Sequence, residues 1–352
     1  MIQNSVFISA CLEEIYLRGV DELSAASICT HAGVSRPSFY SKFENVEGLL
    51  AETWLDRSND FFAELSGDFF SPGKHFIAMS KILALTHRSE DVATVTRAQT
   101  GNWWGQARER SALESWKIAN RLGFAISSPA LVFPEGFHTL DKTIVELSRA
   151  ALQETAFEPS NNVLDSPPPG SALHESAIRA ICHWGYKGAS MARIARDLRI
   201  TSGSIYPNHR GIKQLLEESF ALYQRQITSA NVATWGASFS SPTDFGTYIR
   251  GGLAPERKVW RHLRLETMIS AQSHPRIATQ AGEAIHSMAS AMEPILTSQG
   301  ADTGISEYIS YFFHTLGVGF GVLSDLGIPL HHLNHEDAAK SVADVLLSGA
   351  SG

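Results

Sequence analysis

The chain has 352 residues, 43% apolar and 18% charged, a globular composition that excludes a disordered or low-complexity protein and allows two or three domains. Three cysteines, Cys11, Cys29 and Cys182, are too few and the wrong parity for a disulfide framework, and they point to a reducing cytosol. The net charge of −7 lies entirely in residues 1–166, whereas residues 167–352 balance to zero, so a local basic patch can sit inside an acidic total.

The chain opens Met1-Ile-Gln-Asn-Ser without Lys or Arg, and its first apolar run, Val6–Leu12, meets Glu13 and Glu14, unlike a secretory signal. Phe7–Leu17 reads as an amphipathic helix that ends at Gly19. Ser24 caps a second helix carrying Ile28, and Ala32-Gly33-Val34 forms a tight turn in which Gly33 can take positive φ. Ser35 caps a third helix with Arg36 and Pro37 in its first turn; Phe39 and Phe43 face inward, and a fourth helix begins at Val46. Two short helices about a glycine turn make a helix-turn-helix. Small residues at the start of its second helix let a backbone approach a DNA groove. Ser24, Ser35, Arg36, Ser38, Tyr40 and Lys42 are the candidate phosphate and base donors.

Further along, Leu131-Val-Phe133 is too short for a strand, and Asp141 opens a helix over Lys142–Leu152 with an Ile144, Leu147, Ala151 stripe. Pro159–Gly170 holds four prolines and reads as a semi-extended linker. Beyond it the chain repeats itself. Shifted by 166 without a gap, Ile15, Gly19, Ser24, Ile28, Ser38, Tyr40, Leu49 and Leu50 fall on Ile181, Gly185, Ser190, Ile194, Ser204, Tyr206, Leu215 and Leu216. Later in each half the register becomes 194, where Leu122-Gly123 meets Leu316-Gly317, so about 28 extra residues lie in the middle of the second half. Asn334, with Asp337 three residues on, caps a last helix over Ala338–Leu347. The apolar stretch Tyr311–Leu323 contains His314 and several glycines and is too short and mixed to span a bilayer. The fold class is all-α.

The second copy departs from the first. Arg199 stands where the turn glycine would be, His209 replaces the aromatic of Phe43, and Pro207 should cut the third helix short. Its charge is more favourable for DNA: residues 171–216 sum to +5, against −3 for residues 5–50. Ser190, Arg199, Thr201, Ser202, Ser204, Tyr206, Arg210 and Lys213 are its candidate DNA contacts.

The run Gly19–Leu50 resembles the N-terminal DNA-binding segment of TetR-family transcriptional regulators, and the second copy looks like the same segment. The resemblance implies DNA-binding domains at 1–50 and 171–216, each followed by a helical ligand-binding and dimerisation domain, at 51–158 and 217–352, with the linker at 159–170 between the halves. The family is usually homodimeric, so the chain resembles a dimer fused head to tail. Helices near 111–127 and 138–157 would then pack against those near 305–325 and 335–348 as an intramolecular bundle.

The function expected on this basis is a ligand-responsive repressor in the cytosol. It would bind an asymmetric double-stranded DNA operator as a monomeric pseudo-dimer that can self-associate further. A ligand- or protein-binding module whose helix-turn-helix units have lost DNA binding is the alternative. Trp103 and Trp104 in half one, and Trp260, Met268, Met292, Tyr308 and Phe312 in half two, are the candidate lining of a cavity for a small-molecule effector, and the extra length favours half two. His331, His332, His335 and Asp337 read as a polar loop entering a capped helix rather than a metal site. No nucleophile–base–acid set, phosphate-binding glycine loop or zinc spacing is visible, so neither an enzyme nor a cofactor is expected.

Overall fold

In the computed structural model the described residues are 3–67, 70–106, 111–135, 137, 142, 171–207, 209–238, 243–298 and 304–348. The expected helix over 138–157, the linker at 159–170 and Asn208 lie outside them, Lys142 apart. Among the described residues the regular structure is helical throughout. No helix there is long and apolar enough to cross a membrane.

Half one contributes α1 (Asn4–Arg18), α2 (Ala25–Ala32), α3 (Arg36–Tyr40), α4 (Val46–Ser66), α5 (Lys74–Ala84), α6 (Glu90–Gln106) and α7 (Ala112–Ser127). Half two contributes α8 (Ala172–Gly188), α9 (Met191–Asp197), a 3-10 turn (Ser202–Ser204), α10 (Ile212–Ser238), α11 (Thr243–Leu253), α12 (Lys258–Ala271), α13 (Pro275–Ser298), α14 (Ile305–Asp325) and α15 (His335–Ser348). The packing order repeats. α1 lies on α5 as α8 lies on α12, α4 on α6 as α10 on α13, and α5 on α7 as α12 on α14. Helix α11 has no counterpart among the described residues of half one and packs chiefly on α15; it supplies part of the extra length of half two. The boundaries expected at 50/51 and 216/217 fall inside α4 and α10, so each helix-turn-helix shares an unbroken helix with the body behind it.

The interiors of the halves differ because their large side chains differ. In half one, aromatic rings fill the space among α4, α5 and α6: Phe61 stacks on Phe76 at 4.7 Å, Phe62 stacks on Trp103 at 4.7 Å, and Trp54 packs edge-on against Phe61 and Phe62. Half two leaves a cavity among α10 to α14.

The most extensive helix contact is between α7 and α14. It is a reciprocal glycine crossing. A Cβ on Gly123 would overlap the Thr315 carbonyl, and a Cβ on Gly319 would overlap that of Ala119. Gly123 and Gly319 are 196 apart, as are Ala119 and Thr315, whereas the sequence comparison sets Gly123 against Gly317. Around this crossing Thr315 Oγ1 donates to Asn120 Oδ1 at 2.5 Å, and Ser127 Oγ lies 3.2 Å from His314 Nε2. α15 also packs on α7, where Trp116 Nε1 donates to His335 Nδ1 at 3.0 Å. His335 Nε2 faces the Leu330 carbonyl at 2.9 Å, so His335 accepts at one nitrogen and donates at the other as a neutral ring. Asn334 caps α15, accepting from the Asp337 amide at 3.1 Å, as its sequence suggests.

A second contact between the halves is ionic. Arg88, just beyond α5, pairs with Asp21 at 2.5 Å and with Glu266 of α12 at 3.0 Å, and His87 Nε2 lies 2.8 Å from the same carboxylate. Burial opposes the guanidinium charge, and the carboxylates of Glu266 and Asp21 outweigh it, so Arg88 stays charged. The guanidinium sits where a Cβ on Gly185 would be, and Gly185 is the kink in α8 at φ 71°. Nearby, the buried Lys81 ammonium donates to Gln272, whose amide donates to the Tyr16 carbonyl at 2.6 Å. Desolvation pushes Lys81 down to about 7, with Asp21 acting in the opposite direction.

Two outcomes follow. Gly319→Ala and Gly123→Ala should each lose at least about 2 kcal/mol in urea denaturation, because backbone meets the new methyl and no rotamer relieves it. Stability should also fall on acidification. Desolvation holds His335 down to about 4, and desolvation with Arg264 holds His314 down to about 3, both below the unfolded value of 6.5. The unfolded chain thus binds more protons as pH drops through 6.5, and each ring removes up to about 1.4 kcal/mol per pH unit down to its folded value. Denaturation midpoints from pH 7 to pH 4.5 measure this, and His335→Gln should flatten the slope.

Candidate nucleic-acid interface and effector cavity

The first helix-turn-helix is built from its caps. Gly19 leaves α1 at φ 89°, and Ser24 closes a capping box with Ser27 at the start of α2. Gly33 ends α2 in the left-handed region at φ 65°, and its neighbour's amide, Val34 N, reaches back to the Cys29 carbonyl at 3.0 Å. Ser35 caps α3, accepting from the Ser38 amide, and the two hydroxyls lie 2.9 Å apart. Each such cap contributes about 1 kcal/mol. Phe39 and Phe43 turn inward onto Phe7, with centroids 5.9 and 5.5 Å away. The opposite face of α3 is open: Ser35, Arg36 and Pro37 are exposed, and Tyr40 keeps 59% of its surface. Lys42 is engaged elsewhere, donating to Asn4 Oδ1 at 2.8 Å and so tying the end of α3 to the start of α1. Ser24 lies one helix away from this face, and its oxygen accepts from the Ser27 amide.

The same backbone geometry recurs 166 residues later. Ser190 caps α9 at φ −146°, against −148° for Ser24. Arg199 occupies the turn at φ 55°, and Ile200 N reaches the Ala195 carbonyl at 2.9 Å, the counterpart of Val34 and Cys29. A non-glycine residue is thus held in a left-handed conformation that Gly33 adopts without strain. After it, Pro207 limits the third element to the Ser202–Ser204 turn, as its missing N–H and its ring demand. Thr201 and Ser204 are exposed, Ser202 is half-buried, and Tyr206 keeps 54% of its surface, close to Tyr40.

The basic residues of this second unit divide into two groups. Arg179 pairs with Asp197 at 2.7 Å, Lys187 with Glu22 of the first unit at 2.9 Å, and Lys213 with Glu217 at 3.9 Å. Arg193 lies over the Trp184 ring, 4.1 Å from its centroid. Arg196, Arg199 and Arg210 are exposed and have no ion pair among the described residues, which leaves their charge available to phosphate.

With this geometry in view, the matching of residues 7–53 to the family of bacterial regulatory proteins of the tetR type covers the whole capped helix-turn-helix and the start of α4. Residues 7–53 are a TetR-type N-terminal domain. Among solved structures, a transcriptional regulator from Rhodococcus sp. Rha1 is similar at 17% identity and a TM-score of 0.41, over 53% of this chain and 99% of that one. No curated protein matches the chain.

The cavity of half two holds about 150 Å³. Trp260 and Met268 of α12 lie on its wall. The other expected lining residues lie elsewhere, for reasons of helical phase. On α14 the wall is formed by Ser310, Phe313, His314, Gly317 and Phe320, whereas Phe312 turns to Trp116 (6.0 Å) and Tyr308 towards Phe137 (6.5 Å). Met292 is buried beside Ser310 Oγ at 3.6 Å. Trp103 and Trp104 pack edge-on at 5.9 Å in half one, Trp103 beside an open surface groove. Arg257, Arg261 and Arg264 on the cavity wall were not anticipated, although with Met268 they form an i, i+4, i+7, i+11 stripe legible in the sequence of residues 257–268.

Replacing Arg199 by Gly separates strain from function. Arg199→Gly should leave stability unchanged or raise it by up to about 1 kcal/mol by removing the left-handed penalty. If Arg199 meets a phosphate, binding to random-sequence DNA should weaken while the slope of log K against log salt shrinks by about 0.9.

Proposed function

We propose that the chain is a ligand-responsive transcriptional repressor that binds one asymmetric DNA operator as a single-chain pseudo-dimer. The observation that carries this reading is the TetR-type domain at 7–53 with the outer face of α3 open to solvent, together with a second helix-turn-helix of the same backbone geometry 166 residues on. Ser35, Arg36, Ser38 and Tyr40 read one half-site. The second unit supports a different mode: its three-residue 3-10 turn offers little surface to base edges, so Arg196, Arg199 and Arg210 act mainly on phosphate. The reciprocal α7–α14 crossing supports the pseudo-dimer, since it is the contact a two-fold pair of halves would make.

The effector link runs through α12. One face of this helix lines the cavity with Trp260, Arg261, Arg264 and Met268, and the other carries His262 and Glu266. Glu266 reaches Arg88, and through it Asp21 of the first DNA-binding unit and the Gly185 kink of the second. A ligand that binds better when α12 is displaced shifts both units together, by no more than its difference in affinity between the two positions. Helix α10, with Gln224, Ile227 and Asn231 on the wall, runs on directly from the second unit.

Selection from randomised DNA tests the reading. The expected site has two unlike half-sites about one helical turn, or a multiple, apart. Arg36→Ala should relax preference in one of them only, at about 1–3 kcal/mol. A perfect palindrome would overturn the asymmetric reading, and no enrichment would overturn DNA reading altogether.

A further inference from the structure

The cavity wall has a pronounced charge asymmetry. Three arginines line it, Arg257, Arg261 and Arg264, and no Asp or Glu does among the described residues. Arg261 is bound by main-chain oxygens, donating to the carbonyls of Gly252 at 2.9 Å and Ala254 at 2.8 Å. Arg264 has no carboxylate partner among the described residues. Its guanidinium lies over Gly317, in the volume that a Cβ at that position would occupy, so a glycine on α14 makes its seat. The carboxylates of Glu266 and Asp325 on these helices are engaged elsewhere: Glu266 with Arg88 and His87, and Asp325 with His262 at 2.8 Å. The remainder of the wall is largely apolar, with Trp260, Met268, Ile285, Phe313 and Phe320.

We infer that this cavity takes a small apolar organic monoanion, a single-ring or short-chain carboxylate, with its charge on the Arg264 guanidinium and its body against Trp260, Met268 and Phe313. The inference rests on the effector reading above and names the chemical class of the effector. Arginine is the side chain suited to it, since its planar fork meets both carboxylate oxygens. A half-buried cation with no counter-ion gains most from an anion, and a neutral or cationic ligand would leave it unpaired or repelled. The size agrees: a cavity of about 150 Å³ holds a molecule of benzene's dimensions. His314 adds a second polar group. It lines the cavity and lies 3.2 Å from Ser127 Oγ of α7, so a ligand touching it also touches the contact between the halves. An anion beside Arg264 would offset the positive charge that helps to keep this ring neutral.

Calorimetry on the full chain decides it, with benzoate, phenylacetate and hexanoate as acids, and benzamide and benzylamine as the neutral and cationic counterparts of benzoate. At least one acid is expected to bind at one site per chain, at least tenfold more tightly than benzamide, with benzylamine weaker still. Arg264→Gln should weaken that acid at least tenfold and leave benzamide unchanged, while Arg264→Lys, which keeps the charge, should recover part of the loss. A tightest-binding acid no better than benzamide, an Arg264→Gln variant with unchanged affinity for that acid, or no binding by any of the three acids would each overturn the inference. Urea midpoints of both variants establish that they fold. Because calorimetry reads the acid directly, its result stands whether or not the chain binds DNA. An acid that binds through Arg264 without changing DNA affinity would support the anion site and overturn the effector role.

Discussion

Two helices that touch backbone to backbone set the frame of this molecule. Where α7 and α14 cross, Gly123 and Gly319 leave no side chain between one helix and the carbonyls of the other. Such an approach permits almost no sliding, because a shift along either axis drives a neighbouring side chain into backbone. Its consequences extend along both helices. It sets Thr315 beside Asn120, His314 beside Ser127, and, through α15, His335 beside Trp116. The same rotation of α14 that buries Phe312 against half one turns Phe313, His314 and Gly317 to the cavity.

Helix α12 lies behind α14 and carries two different chemistries on its two faces. Towards the cavity it shows arginines, Trp260 and Met268; towards the junction of the halves it shows His262 and Glu266. Glu266 is fully buried, and such a carboxylate is tolerable only with charge beside it, which Arg88 supplies. Arg88 is in turn held by Asp21, next to the end of α1, and fits only because residue 185 is a glycine. A chain of ion pairs and close contacts thus runs from the cavity helix to both helix-turn-helix units.

Much of the first unit was legible because it is local. Ser24, Gly33 and Ser35 act on amides within a few residues of themselves, so caps and turn follow from residue type and spacing. The shortened third element of the second unit was legible for the same reason, from Pro207. Lys42 was not, since its partner Asn4 is far away in sequence. Glycines recur at 317, 319 and 321, and only the crossing shows that Gly319 is the one that meets α7. Most of the cavity lining was missed by helical phase: on α14, Phe312 and Phe313 are equally apolar, and only the position of the neighbouring helices tells which one faces space.

The sequence by itself determined the all-helical class and the TetR-type unit at 7–53, because each depends on short-range hydrogen bonding and on periodicity. The extra residues of half two were countable there too, but tertiary structure alone made part of them α11, laid on α15 and against the cavity. Tertiary structure also decided that half one fills its interior with stacked rings while half two keeps a space, and that Arg264 faces this space without a carboxylate among the described residues while Arg88, no different in kind, is held between two. Two arginines have the same side chain and the same local preferences. What separates them is the set of groups that distant segments bring within about 3 Å, and such partnerships carry no short-range signature in the sequence.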